Sequence, residues 1–241
     1  MSLGTIHGVG LGPGAPDLLS VRADRLVRDA RHVAYFRKAG RSGQARRIAE
    51  GMLRPDAIEL PMEYPVTTEI PVSDPRYNAC LSAFYAECTA RLLALSRAGE
   101  DVVVLCEGDP FFYGSFMHLH SRLSGQVPVA VVPGITGMAG AWNATGQPIT
   151  WGDDVLTIAM ATLPEAELVR RIRDTDALVV MKIGRNLCKL RRAVTAAGRE
   201  AEAWLVEHAA MPEQRVTPLA EATSVTPYFS ILLIHGRGRR P

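Results

Sequence analysis

Long apolar runs are missing from this chain of 241 residues. None reaches the roughly 18 residues that a membrane-spanning helix needs, so no membrane segment is expected. The N-terminus is glycine-rich and lacks a basic stretch followed by an apolar one, so no secretory signal is expected and a cytoplasmic location is. Cysteine is scarce: the four residues Cys80, Cys88, Cys106 and Cys188 are scattered with no CxxC pair. That argues against a zinc site or a disulfide framework, and no metal is expected to be required by the protein. Charge of one sign is also missing, since a net +2 is too little to argue for nucleic acid. Lysine is rarer still, with Lys38, Lys182 and Lys189 set against 24 arginines. Arginine holds carboxylates with two parallel hydrogen bonds, which lysine cannot do; a GC-rich genome is the plainer explanation.

What is present is an ordinary globular balance, 47% apolar and 22% charged residues. Short apolar runs alternate with helical patterns, the mark of βα units and a largely parallel sheet. TIHGVGLG reads as a strand and a loop, followed by a helix over DLLSVRADRLVRDA with an apolar stripe at Leu18, Val21, Leu26 and Ala30. HVAYF is a second strand, residues 41–53 a basic helix, and AIELP a short extended piece. The Pro61–Pro75 loop carries Pro61, Pro65, Pro71 and Pro75 and has the length of a lid or binding segment. A long helix over about 76–98 should end at Gly99. DVVVLC and VPVAVV are strands covered on both faces. After the Gly/Ala-rich stretch 134–146 the rhythm changes. VLTIAM, ALVVMKI, EAWLV, the stretch around RVTPL and YFSILLI supply five strands, with clear helices only near 164–173 and 186–197. Two α/β domains are expected, 1–140 with a parallel sheet and 141–241 with a mixed one.

GVGLGPGAPD (8–17) follows the first strand, and Gly10, Gly12 and Ala15 match a dinucleotide-binding fingerprint. Pro13 and Pro16 delay the helix that should sit under a pyrophosphate, and the second strand ends in Arg37-Lys38 without an acidic ribose ligand. Arg37 leaves an NADP-dependent dehydrogenase open as an alternative. No GK[ST] motif is present, which removes a P-loop. EGDPFFYG and VPGITGMAG hold the same position after two further strands. Ligands of parallel sheets gather at the carboxyl ends of strands, and glycine lets backbone approach them. Three such loops in one sheet point to one site.

In their order and spacing GLGPGAP (10–16), GDP (108–110) and PGIT (133–136) resemble the tetrapyrrole, class III, S-adenosylmethionine-dependent methyltransferases, over nearly the whole chain. EGDPFFYGSFMHLH and the closing PYFSILLI are most like the precorrin-2 C20-methyltransferases of cobalamin synthesis. The resemblance implies a homodimer and a cleft between the two domains that holds S-adenosyl-L-methionine, released as S-adenosyl-L-homocysteine. Carried over by position, it implies donor contacts at Pro13, Gly108, Asp109, Phe112, Thr136, Gly137 and Met181. Relatives place a glycine after a VEN-like turn, where VEHAA has Ala209.

The implied substrate is a reduced tetrapyrrole with eight carboxylate arms, precorrin-2 or cobalt-factor II, methylated at a meso carbon. That carbon is electron-rich, so alignment of the two reactants does most of the work and no activated nucleophile is needed. Glu107, Asp109 and Tyr113 are the candidate proton acceptors. Arg37, Lys38, Arg41, Lys182 and Arg185, with Arg46 and Arg47 beside them, are the candidate carboxylate ligands. His118 and His120 lie two apart on one helix and cannot face a single ligand together. A protein that binds a nucleotide-like ligand without catalysis is the alternative from a different class.

Overall fold

The computed structural model describes residues 2–66, 74–223 and 225–239. They divide into two compact units, Met1–Thr136 and Gly137–Pro241. The first contains β1 (Ile6–Gly10), α1 (Val21–Asp29), β2 (His32–Lys38), α2 (Gln44–Ile48), β3 (Ile58–Tyr64), α3 (Pro75–Arg97), β4 (Val102–Cys106), α4 (Phe116–Leu123) and β5 (Val129–Val132). All pairings in its sheet are parallel, in the order β3-β2-β4-β1-β5. Every residue of β4 is buried because alternate side chains enter opposite cores. Val103 and Leu105 pack with Ala23 and Val27 of α1 and with Ala45 and Ile48 of α2. Val102 and Val104 pack with Phe84 and Leu92 of α3 and with Phe116 and Leu119 of α4.

That two-sided cover positions the site. The chain leaves β1 for α1 on one face and leaves β4 for α4 on the other, although the two strands are neighbours. The two helices therefore lie on opposite faces and the β1/β4 junction is a topological switch point, the place where doubly wound sheets bind ligands.

The second unit contains α5 (Gly137–Ala144), β6 (Leu156–Met160), α6 (Glu165–Arg173), β7 (Ala177–Met181), α7 (Leu187–Ala196), β8 (Ala203–Glu207), β9 (Arg215–Pro218) and β10 (Ser230–Ile234). The five expected late strands form one mixed sheet, β6-β7-β10-β8-β9, in which β10 runs antiparallel to both β7 and β8. α6 and α7 bury Leu168, Ile172, Leu187 and Leu190 on one face. On the other, Ala141, Met138 and Trp142 of α5 pack with Val179, Val206 and Leu233.

Several expectations change. The first helical pattern is a 3-10 turn at Pro16–Leu18 followed by α1, whose N-cap Ser20 accepts a hydrogen bond from Ala23. Its buried residues are Ala23 and Val27, while Val21 is exposed, because the helix starts later than the pattern suggested. The basic helix shrinks to α2, as Gly51 takes a left-handed φ of 73° just past it. The short extended piece becomes the seven-residue β3, which runs through Pro61. β3 is an edge strand, so the missing N–H of Pro61 is tolerated there. The supposed lid thus starts after Tyr64, and residues 67–73 of it lie outside the described residues. α3 ends as expected before Gly99, at φ 86°. The Gly/Ala-rich stretch, to which the sequence pattern assigns no element, holds α5. A boundary at 140/141 would cut through α5; the division falls at 136/137 because α5 packs on the second sheet.

Candidate functional site

In the first unit the three glycine loops do come together. β1 pairs with β4 so that Gly10 stands opposite Cys106, and with β5 so that Val9 stands opposite Val132. The loops at 11, 107 and 133 hence begin side by side. Past the strand ends Gly12 and Gly108 form an antiparallel bridge, with Gly108 N–H donating to the Gly12 carbonyl over 2.8 Å. A Cβ on Gly10 would lie 2.6 Å from Gly134 N and 2.7 Å from Gly108 O, and one on Gly134 would lie 2.1 Å from Gly108 O. These glycines are needed because three backbones meet where a methyl group has no room. Gly8 is required for a different reason, since the ring of Phe116 lies where its Cβ would be, at 2.4 Å.

The charged groups of the middle loop are partly engaged by backbone. Asp109 Oδ1 accepts from Phe111 N–H at 2.8 Å and Oδ2 from Gly134 N–H at 3.1 Å. Glu107 accepts from Ala45 N–H at 3.2 Å, capping α2, whose own N-cap is a glycine. The Glu107 residue is exposed, yet the protein around its carboxyl pushes the pKa up to about 6, against the opposing pull of the Ala45 bond. Tyr113 holds a left-handed φ of 54° and its ring meets Phe112 edge-on. Pro13 is buried, and Phe112 is half-buried.

The aromatic residues divide by role. Phe116 is core. Phe111, Tyr113 and Ile135 expose 48%, 46% and 43% of their surface, leaving an apolar rim on two of the loops. Exposed apolar groups beside backbone donors fit an amphipathic ligand. His118 packs on Tyr85 and His120 on Phe111, so both histidines serve packing. Sequence reading missed the half-buried Tyr64, which stacks on Phe36 and shares a hydrogen bond with Ser115 at the start of α4. Burial raises the Tyr64 pKa, so its hydroxyl stays protonated. No pattern in the sequence links residues 64 and 115.

In the second unit Met181, Ala209 and Ile231 belong to one apolar cluster, which Gly137 adjoins. Ile231 Cδ1 lies 3.8 Å from where a Gly137 Cβ would stand, and Met181, Ala209 and Met138 belong to the same apolar cluster. Three non-glycine residues here hold positive φ: Lys182 at 54°, His208 at 50° and Ala210 at 57°. All lie just past the carboxyl ends of β7 and β8, where such strain commonly accompanies a binding loop. A buried network supports them. Glu207 accepts hydrogen bonds from Arg215 and Thr226, and Thr226 reaches Ser230 at 2.6 Å. Thr136 and Gly137 adjoin the start of α5, and both are half-buried.

The cationic candidates are not equivalent. Arg37 pairs with Glu63, and Arg46 grips Glu59 through both of its near nitrogens at 2.8 and 2.9 Å. Arg37, Arg46 and Glu59, with Tyr35, Ser42, Arg47 and Glu50, line a recess of about 400 Å³ on the α2 side of β2 and β3. Lys38, Arg41, Lys182 and Arg185 are exposed. Among the described residues no three His, Cys, Asp or Glu side chains are gathered to hold a metal ion. The dinucleotide reading also loses its support: α1 begins at Val21, nine positions past Gly12, so no helix N-terminus underlies the glycine loop.

Comparison with known proteins agrees with this geometry. The chain is 50% identical over 242 aligned residues to a Sinorhizobium precorrin-2 C(20)-methyltransferase, covering 100% of this chain and 99% of that one. It is 27% identical to the cobalt-precorrin-2 C(20)-methyltransferase of Salmonella typhimurium, covering 96% of each. Among solved structures it resembles a cobalt precorrin-4 methyltransferase with a TM-score of 0.74 at 22% identity, covering 96% of this chain and 94% of the other. The model of the tetrapyrrole (corrin/porphyrin) methylases matches residues 5–223, and the chain belongs to that family.

Proposed function

We propose that the protein transfers the methyl group of S-adenosyl-L-methionine to the meso carbon C20 of precorrin-2, giving precorrin-3A in cobalamin biosynthesis. The observation that carries this is the 50% identity, end to end, with a precorrin-2 C(20)-methyltransferase. The triple-glycine junction of the first unit supports it, because a donor of this kind is held chiefly by backbone. The donor supplies an electrophilic methyl group on a sulfonium, and C20 supplies the electron pair. As the new C–C bond forms, the C–S bond breaks and its electrons stay on sulfur. The C20 proton then leaves to a base, restoring conjugation.

The chain contributes position and shelter. Pro13, Gly108, Asp109, Phe112, Thr136, Gly137, Met181 and Ala209 are proposed to hold the donor. Phe111, Tyr113 and Ile135 supply the apolar rim that keeps water from the reacting carbon. Glu107 is proposed as the proton acceptor, since its pKa, raised to about 6, lies close to a neutral working pH. Arg37, Lys38, Arg41, Lys182 and Arg185 are proposed for the carboxylate arms. The homodimer and the cytoplasmic location belong to the same proposal. Val225 and Tyr228, exposing 78% and 76% of their surface, are the apolar surface such a dimer could cover.

Single-turnover incubation with methyl-labelled donor tests the reading, run anaerobically on metal-free and cobalt-containing precorrin-2. Label at C20 of the metal-free ring is expected. Transfer confined to the cobalt ring would favour the second reading, toward which the 27% relative points. Donor binding with neither ring methylated would refute both.

A further inference from the structure

β1 lies between β4 and β5, so strand pairing joins β1 to each neighbour but never β4 to β5. Past Gly10 the first loop stays with the β4 end, Leu11 N–H donating to Cys106 O at 2.9 Å, and strand pairing gives the β5 loop no tie to the β4 loop. The Gly12–Gly108 bridge secures the first loop to the second. The third is held through Asp109. Its Oδ2 accepts from Gly134 N–H at 3.1 Å, and its Oδ1 from Phe111 N–H at 2.8 Å. Pro133 has no N–H, so Gly134 offers the first donor of that loop. With both oxygens taken by main-chain donors, the carboxylate cannot rotate without releasing one of them.

We propose that Asp109 is a positioning residue: its carboxylate spans the end of β1, ties the β5 loop to the β4 loop, and sets the backbone that holds the methyl donor. It neither takes the C20 proton nor attracts the sulfonium as its main task. Glycine at 10 and 134 leaves space for this tie, since added Cβ atoms there would lie 2.1–2.9 Å from backbone atoms of the other loops. The functional part of the inference rests on the methyltransferase reading above; the tie between loops does not.

Three measurements on Asp109→Ala and Asp109→Asn test it. The first is hydrogen exchange at the Gly134 amide without ligand, where Asp109→Ala should exchange at least about tenfold faster than the parent. The second is donor affinity by calorimetry, with an expected rise in Kd of about tenfold, equivalent to about 1.4 kcal/mol. The third is single-turnover rate against pH with both substrates saturating. That rate should stay within about threefold and keep its pH profile, since a positioning residue acts on donor binding. Asp109→Asn, whose amide oxygen accepts one bond, should fall between the parent and Asp109→Ala.

A rate loss of about 10²-fold or more at saturation, with donor Kd unchanged, would make Asp109 the general base and overturn the proposal. Unchanged exchange at Gly134 would overturn it equally. A parent protein that binds no donor would fail the methyltransferase reading instead, and the exchange comparison would still judge the tie. Should Asp109→Ala not fold, Asp109→Asn carries the same comparisons.

Discussion

Gly134→Ala is the substitution whose outcome follows most directly from the geometry. The added methyl would stand 2.1 Å from Gly108 O and 2.9 Å from Gly10 Cα and C. Ordinary contact begins at about 3.4 Å, and every obstructing atom belongs to backbone, so no side chain can swing aside. Relief requires the β4 and β5 loops to part by more than an ångström, stretching the Asp109–Gly134 bond now at 3.1 Å. Overpacking of this kind costs about 1–3 kcal/mol. In a chain of this size that lowers Tm by roughly 2–12 °C. Donor affinity should fall more steeply than stability, because the displaced atoms are the proposed donor cradle. A rise in Kd of about tenfold or more is expected. Scanning calorimetry and titration with S-adenosylhomocysteine make the measurement. Gly137→Ala is the control: its Cβ would meet only Ile231 Cδ1, at an ordinary 3.8 Å, and stability should hold. If Gly134→Ala melts within 1 °C of the parent and binds donor within about twofold, the account of the junction is wrong.

Phe116→Ala removes a ring that is 1% exposed and fills the space left by Gly8, so a loss of about 3–5 kcal/mol is expected in urea unfolding. Glu107 has a folded pKa of about 6 above its ordinary 4.5. The native state therefore binds more protons than the unfolded one between those values, and stability should fall as pH rises across that window. Water screening at this exposed residue keeps the change below about 1 kcal/mol, and Glu107→Gln should flatten the slope in urea midpoints measured against pH. Arg185→Ala should leave Tm unchanged and raise KM for the tetrapyrrole. Arg37→Ala should cost at most about 1 kcal/mol, because its pair with Glu63 is partly exposed, and should change KM less.

Which parts of this were legible in the sequence follows from the range of the forces involved. Hydrophobic period and turn chemistry are local, and they placed β4, β5, all five late strands and the end of α3 before Gly99 with little error. Local signals failed where tertiary cover overrides propensity. α5 is rich in glycine and alanine, and it packs as a helix against Val179, Val206 and Leu233. β3 runs through a proline because an edge position removes the penalty. The helical pattern before α1 misled because Pro13 and Pro16 hold the chain out of a helix until Ser20 can cap it.

The site divides in the same way. Sequence alone determined that three glycine loops end three strands of one parallel sheet, and which residues those loops contain. Only tertiary structure decided that β1 lies between β4 and β5, so that loops about 95 and 120 residues downstream of Gly12 meet over its end. It also decided that Asp109 spends its carboxylate on Gly134 and Phe111, that Arg46 is taken by Glu59, and that Met181, Ala209 and Ile231 join one apolar cluster. Strand order and side-chain partners are set by packing between distant segments, and no period or spacing along a single chain records them.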